Sequence, residues 1–338
     1  MQWKNQTTIN KFLLLGFGNL NEVQILLFVL FLVIYMMTIA GNLLIVMLIV
    51  ADYHLHTPMY FFLGNLSFLE TCYTSVTAPR LLAGFLVEDR TISFRDCITQ
   101  LYFFSGFACI ECFLLAVMAY DRYLAICNPL SYNVRMNFRV CLQLASASWI
   151  TGFLATAFVV AMVPQLSFCG PNEINNFFCD MEELLKLSCT KSSLVEVIVL
   201  FFCSLVSLLP FLFIVVSYIF ILSAILRIAS SSGSCFLFII VSYVQLFTTV
   251  LRMPSEQGRH KAFSTCLPHL TVVSLFVCTS SFTYLKPTSN STSILDLMVT
   301  VLYSVVPPLT NPIIYTMRNK EIKAALRKMI GWRLFTKH

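Results

Sequence analysis

Two carboxylates stand where a carboxylate is expensive. Glu70 and Glu111 each fall inside a long apolar run. A buried carboxylate in such a run calls for a partner or a cation. Two of them near the centre of a helix bundle could hold a sodium ion with Ser or Asn ligands. Equally, they could be protonated and bonded to neighbouring helices. Asn42 could belong to the same polar cluster. Cys109-Ile110-Glu111-Cys112 has a CxxC spacing, which in a cytosolic α/β protein suggests redox chemistry. Inside an apolar helix it reads as two packed thiols. Asp121 and Arg122, in Met118-Ala119-Tyr120-Asp121-Arg122-Tyr123, sit at the end of the third apolar run. Such a pair can hold an arginine at a membrane boundary until something competes for it; the alternative is a simple snorkelling arginine. Asn311-Pro312-Ile313-Ile314-Tyr315 lies in the last run. Its proline removes a helix bond and kinks the segment, and the freed carbonyl needs a partner, which an Asn or a water can supply. Pro210 and Pro268 act likewise in their own runs. His54 and His56 flank Leu55 without the further ligands that a metal site requires. With no phosphate loop, nucleophile elbow or zinc signature, no catalytic constellation forms, and an enzyme is not expected.

The elements that position these residues follow from composition. The chain has 338 residues, 58% hydrophobic and 11% charged, with a mean hydropathy of +0.82. A soluble domain keeps roughly a quarter of its residues charged, so lipid is the solvent for most of this surface. Only helices or closed barrels satisfy their backbones in lipid. The apolar runs here are continuous, not alternating, so helices are expected. They lie near 24–50, 58–80, 98–120, 140–163, 195–226, 236–251, 262–285 and 294–317. Residues 1–23 are polar apart from the short run Phe12 to Phe17, too short for a cleavable signal. In the tail, Ile322, Ala325, Leu326 and Met329 recur at helical spacing between basic residues. That pattern predicts a short amphipathic helix on an anionic leaflet.

Orientation follows from Lys and Arg. Arg122, Arg135 and Arg139, then Arg252, Arg259 and Lys261, then Arg318, Lys320, Lys323, Arg327 and Lys328 mark the cytoplasmic stretches. The net charge of +6 is read as this asymmetry rather than as a nucleic-acid surface. The N-terminus, 1–23, and the acidic stretch Asp180, Glu182, Glu183 then lie outside, and 318–338 is a cytoplasmic tail. Asn5 heads an acceptor sequon where glycosylation could occur, and Asn290 heads another; Asn65 heads a third inside a span and should be unmodified. Cys97, Cys169, Cys179 and Cys189 share the oxidising outer side. Four cysteines allow three connectivities, and sequence alone does not choose among them.

The sixth apolar run is a tandem copy. FLFIVVSYIFILSAILRI (211–228) is followed, 25 residues on, by FLFIIVSYVQLFTTVLRM (236–253), with half of the positions identical. A spanning copy would invert everything after it and turn the basic tail outward, against the charge rule. We therefore expect seven spans, with the copy along the inner face or prolonging the preceding helix. The expected fold is all-α: a seven-transmembrane helix bundle over 24–317, a C-terminal amphipathic helix, and an extra apolar segment at 236–251 within an insert of about 229–253.

LHTPMYFFLGNLSFLE (55–70), MAYDRYLAIC (118–127), KAFSTC (261–266), PPLTNPIIYTMRN (307–319) and FCGPNEINNFFCD (168–180), with GN at 41–42 and SY at 217–218, resemble the signature blocks of vertebrate odorant receptors of the rhodopsin-like G-protein-coupled class. The resemblance covers nearly the whole chain in the right order. It implies a multi-pass receptor in the plasma membrane of olfactory cilia. Such a receptor binds a small volatile odorant and activates a stimulatory G protein to raise cyclic AMP. It implies the bridges Cys97–Cys179 and Cys169–Cys189. It implies a pocket of Phe104, Ser105, Ala108, Cys109 and Cys112 facing Cys203, Val206 and Ser207, with Ser281 and Tyr284. A mostly apolar cavity with a few hydroxyls suits such a ligand. It makes Arg122 the switch residue, with Asp121, Tyr123, Tyr218, Asn311, Pro312 and Tyr315 in the same machinery, and makes Glu70 and Glu111 sodium-linked positions. Beyond a structural sodium ion, no cofactor is implied.

Four departures stand out. Glu70 replaces the usual Asp, Asn176 the usual His and Val277 the usual Tyr, and the SY…LR block occurs twice. The alternatives are a receptor-like chain whose coupling the duplication impairs, and a transporter or channel. The latter would favour inverted repeats in the two halves, whereas this repeat is local and tandem.

Overall fold

A computed structural model describes residues 11–16, 24–87, 90–166, 168, 172–188, 194–229, 269, 271–274, 305–315 and 320–335. Five long helices account for most of them: α1 Gln24–Ala51, α2 Pro58–Leu86, α3 Phe94–Cys127, α5 Phe138–Val160 and α7 Leu194–Ala229. Two short helices, α4 Tyr132–Arg135 and α6 Met181–Lys186, lie between them. Residues 271–274 and 305–315 are helical, and α8 is Lys320–Phe335. Among the described residues, four helices are long and apolar enough to cross a membrane. The second, α2, is long but carries more polar residues, and much of it is buried at the centre of the bundle.

Each helix begins where a cap makes it begin. Thr57 precedes Pro58 at the first position of α2, where a missing N–H costs nothing. Ser93 accepts from the Asp96 amide at 3.1 Å and starts α3 four residues before the apolar run does. Asn137 accepts from the Val140 amide at 3.1 Å and starts α5. These side chains take up orphan N–H groups. The expected boundaries therefore move outward: α3 runs to Cys127, where Asn128-Pro129 stops it, and α2 continues through Pro79 to Leu86.

Helix α3 packs against α2, α5 and α7 and buries Leu101, Ile110, Leu114, Leu115 and Met118. By contrast α1 and α7 turn large apolar side chains outward, with Ile25 75% and Phe201 68% exposed. Such faces are stable against lipid, not water.

The polar reading of residues 1–23 needs correction at 11–16. β1 (Lys11–Leu14) pairs antiparallel with β2 (Thr91–Ser93) and parallel with β3 (Glu173–Ile174), in the order β2-β1-β3. Phe12 and Leu14 point into a second core with Ile92, Leu101, Val163 and Ile174. The short apolar run is thus a strand whose partners lie in two distant loops, a pairing that no local pattern reveals.

The first copy of the repeat, 211–228, forms the second half of α7. Tyr120 meets Phe213, and Tyr123 meets Phe220, across the α3–α7 contact. The second copy, 236–253, lies outside the described residues.

Candidate functional site

The bundle has two ends, one bearing the sheet and one bearing α8. At the sheet end, residues 177–180 cross the mouth of the bundle. Cys179 is bonded to Cys97 at the start of α3. Its amide donates to Gln100 Oε1 at 3.1 Å, and Gln100 Nε2 donates to the Val76 carbonyl of α2 at 3.1 Å. One glutamine thereby ties the crossing segment to two helices, a role its type did not signal. Phe177 and Phe178 line a cleft of about 500 Å³ with Phe31, Tyr35, Thr74 and Leu81 of α1 and α2. None of the odorant-pocket positions assigned from sequence lines that cleft. Cys169 and Cys189 lie outside the described residues; their neighbours Phe168 and Ser188 form a backbone bridge.

The assigned pocket residues lie on α3 and α7. Phe104 is buried, stacks on Tyr73 at 4.9 Å and meets Phe178 at 4.6 Å. Ser105, Ala108, Cys109 and Cys112 are half-buried on α3. The Cys109 thiol accepts from Thr156 Oγ1 of α5 at 3.7 Å. Opposite, Val206 is half-buried, while Cys203 and Ser207 are exposed. Cys203 lies within electrostatic reach of Cys109. The Ser207 hydroxyl donates to its own helix at the Cys203 carbonyl, 2.9 Å away, so this hydroxyl is partly spent. Cys109 and Cys112 are free thiols. Ser281, Tyr284 and Val277 lie outside the described residues, as does Asn5. Asn176 is buried and accepts from its neighbour's amide, Phe177 N, at 2.7 Å.

The acidic stretch is better built than its charges suggest. Asp180 caps α6, accepting from the Met181 amide at 2.7 Å, and is 5% exposed. Burial first, then the neighbouring Glu182, pushes its carboxyl up to about 7. An acid with a raised folded pKa binds a proton in the folded state that the unfolded chain has released. Stability therefore falls as pH rises from about 4 to about 7 and levels off above. Asp180→Asn keeps the capping oxygen and removes this dependence. We expect the melting temperature of the variant to gain on the parent across that window; parallel curves would refute the assignment.

The middle of the bundle gathers the polar cluster. Asn311 donates to Glu70 Oε1, and Glu70 lies within electrostatic reach of Glu111. Asn42 Nδ2 donates to the Pro308 carbonyl at 3.1 Å. That carbonyl lies four residues before Pro312, so it is the one the proline frees. Gly41 beside it makes the approach possible: a Cβ there would lie 3.2 Å from Pro312. Glu70 Oε2, Glu111 Oε1, Asn42 Oδ1 and Asn311 Oδ1 are buried acceptors that no described residue satisfies. Four orphan oxygens from three elements are a donor set that a small hard cation fits.

At the α8 end, Arg122 is 4% exposed and its Nε has no partner. The expected hold on Asp121 is not a close ion pair, for Asp121 instead accepts from the Tyr132 hydroxyl of α4 at 2.8 Å. Tyr218 of α7 and His269 share a hydrogen bond of 2.6 Å. Arg122 lies within electrostatic reach of both His269 and Tyr315. Sequence reading passed over His269, although a lone titratable residue in an apolar run carries the same signal as Glu70. The first copy of the repeat therefore supplies the tyrosine of this cluster.

Helix α8 is held by both chemistry and packing. Ile322 and Ala325 are buried, Leu326 and Met329 half-buried, and Arg327 and Lys328 exposed, as the spacing predicts. The Tyr60 hydroxyl donates to Glu321 Oε2 at 2.5 Å, and Lys328 reaches Asp52 at 3.9 Å. His54 bonds the same Asp52 at 2.9 Å and holds its carboxyl below the usual range. Among the described residues, no cluster of metal ligands of the His, Cys, Asp and Glu type forms. Tyr60→Phe should loosen α8 by about 1 kcal/mol, the worth of one hydrogen bond whose partner regains water. Several-fold faster amide exchange over 320–329 would register it, and unchanged exchange would refute it.

The architecture is that of the rhodopsin-like seven-helix receptors. Squid rhodopsin superimposes with a TM-score of 0.68 over 93% of this chain and 87% of its own, at 15% identity. Sequence is more specific than fold. The olfactory receptor family matches residues 31–236 and 231–332, two pieces that meet in the linker between the copies of the repeat. Human olfactory receptor 10R2 is 46% identical over 97% of this chain and 90% of its own length. Human olfactory receptor 10T2 is 44% identical over 100% and 99%, and mouse olfactory receptor 5AP2 is 44% identical over 98% and 96%. The chain belongs to the olfactory receptor family: it is a multi-pass membrane receptor and not an enzyme.

Proposed function

We propose that this receptor binds a small volatile molecule between α3 and α7 and activates an olfactory stimulatory G protein, raising cyclic AMP. The observation that supports this best is the separation of two built regions in one helix. The sheet end of α3 carries the pocket positions Phe104, Ser105, Ala108, Cys109 and Cys112 beneath a disulfide-tied roof. Its other end carries Arg122 beside Tyr218–His269 and Tyr315. A ligand that shifts α3 against α7 can bias the far cluster, provided it binds the two arrangements unequally. In this reading the sheet end is extracellular and the α8 end cytoplasmic, in the membrane of olfactory cilia. Asn5 is then glycosylated, Cys169 pairs with Cys189, and Ser281 and Tyr284 complete the pocket. A sodium ion sits among Glu70, Glu111, Asn42 and Asn311, the orphan acceptors above, and no other cofactor or nucleic acid takes part.

A second reading has one observation behind it. The first repeat copy already fills the fifth-span position and supplies Tyr218, so the second copy is surplus, placed where a G protein would dock. The receptor then couples weakly or not at all. Expressing the full chain and a version lacking 229–253 with an olfactory G protein separates the two. Equal odorant-evoked cyclic AMP supports a working receptor; a response only after deletion supports impaired coupling. An ion current from the chain alone would sink both.

A further inference from the structure

The segment that roofs the bundle sends four consecutive side chains to different walls. Phe177 and Phe178 go to α1 and α2, Cys179 is bonded to α3, and Asp180 approaches Cys203 of α7. Cys203 is a pocket position under the proposed function, and it lies within reach of Cys109, another such position. Asp180 is 95% removed from solvent, yet only Oδ1 is used, in the cap to Met181; Oδ2 accepts no hydrogen bond from any described residue. Nor does any described cation pair with it. Lys186, the basic residue of α6, is held by Glu182 at 2.9 Å and Glu183 at 2.8 Å. The titratable groups facing Asp180 among the described residues are these three on α6 and the Cys203 thiol on α7. From α3 it meets the neutral Gln100 and the disulfide. Three carboxylates against one ammonium leave this roof with a surplus of negative charge. A buried acid oxygen with no partner calls for a donor or a cation. The remaining pocket positions are aromatic, aliphatic, thiol and hydroxyl groups that suit a hydrocarbon chain.

We propose that Asp180 is a specificity-determining residue of the odorant cavity, and that its ligands are small aliphatic amines whose ammonium group pairs with the free Asp180 oxygen. This rests on the proposed α3–α7 pocket. Because Asp180 gives up its proton near pH 7, amine binding should weaken as the medium is made acidic: the amine then meets a neutral acid rather than a carboxylate.

The test uses the full chain with an olfactory stimulatory G protein and straight-chain primary amines, alcohols and carboxylic acids of about five to eight carbons. Amines should evoke cyclic AMP at lower concentration than the matched alcohols and acids. Asp180→Asn retains the capping oxygen, so surface display should hold, while the amine concentration for half response rises at least tenfold. Asp180→Glu should keep part of the amine response. Amines no better than alcohols, or a variant that shifts both classes equally, would overturn the proposal. Melting of the purified chain with and without hexylamine reads binding without coupling. Stabilisation that Asp180→Asn abolishes supports the site even if cyclic AMP stays silent, in which case only the coupling reading fails. No stabilisation of the parent chain overturns the site.

Discussion

Replacing Gly152 with alanine will drive α3 and α5 apart and lower the yield of folded receptor. A Cβ built at Gly152 lies 2.4 Å from Ile110 Cγ1, 3.0 Å from Ile110 N and 3.2 Å from Ile110 Cα. Two of those three atoms are backbone in the middle of a helix and cannot rotate aside. The surrounding face of α5 is built for this approach, with Ala145, Ser148 and Thr156 buried on it. Small residues let helix backbones meet in lipid, where close packing replaces the hydrophobic effect as the driving force. Overpacking costs roughly 1–3 kcal/mol. Here the upper end is expected, and more for valine, because backbone must yield. The measurement is melting temperature and surface display. Adding Ile110→Ala removes the 2.4 Å clash but neither backbone contact, so the double variant should recover only part of the loss. Gly84→Ala is the control, since a Cβ there meets nothing within 4 Å. An unperturbed Gly152→Ala receptor would show that the helices are not in this contact.

Breaking Cys97–Cys179 is the second large effect. The bond closes a loop of 82 residues. Chain-entropy arguments value closure of such a loop at about 4–5 kcal/mol. The local consequence adds to this, since Gln100, Cys179 and Asp180 are all placed by the same crossing segment. Cys97→Ser and Cys179→Ser should each remove most of the receptor from the cell surface. The double variant should be no worse than either single one, because all three lose one bond. A single variant displayed at the parent level would refute a structural role for the bridge.

The polar cluster was legible from residue types alone. Glu70, Glu111, Asn42 and Asn311 are costly in an apolar run, and cost in lipid forces them together. The amphipathic face of α8 was legible for a similar reason: Ile322 and Ala325 are buried because their spacing leaves no other way to hide them. The strand at Lys11–Leu14 was not legible, since its partners lie in loops about 80 and 160 residues away and four residues carry no decisive period. Nor was the Tyr132–Asp121 bond, which replaces the neighbouring arginine as the acid's close partner.

By itself, then, the sequence determined the solvent, the helices and the family. Continuous apolar runs admit one backbone solution in lipid, and signature blocks in order along 338 residues admit one resemblance. Only tertiary structure decided which atoms meet. It placed Gly152 against the Ile110 backbone, gave the Pro312-freed carbonyl to Asn42, gave Tyr218 of the first repeat copy to His269, and turned Asp180 from a surface charge into a buried acid over the pocket. The physical reason is range. Periodicity and cost act within one helix, whereas these contacts join residues from different helices whose separation along the chain leaves no mark on either local pattern.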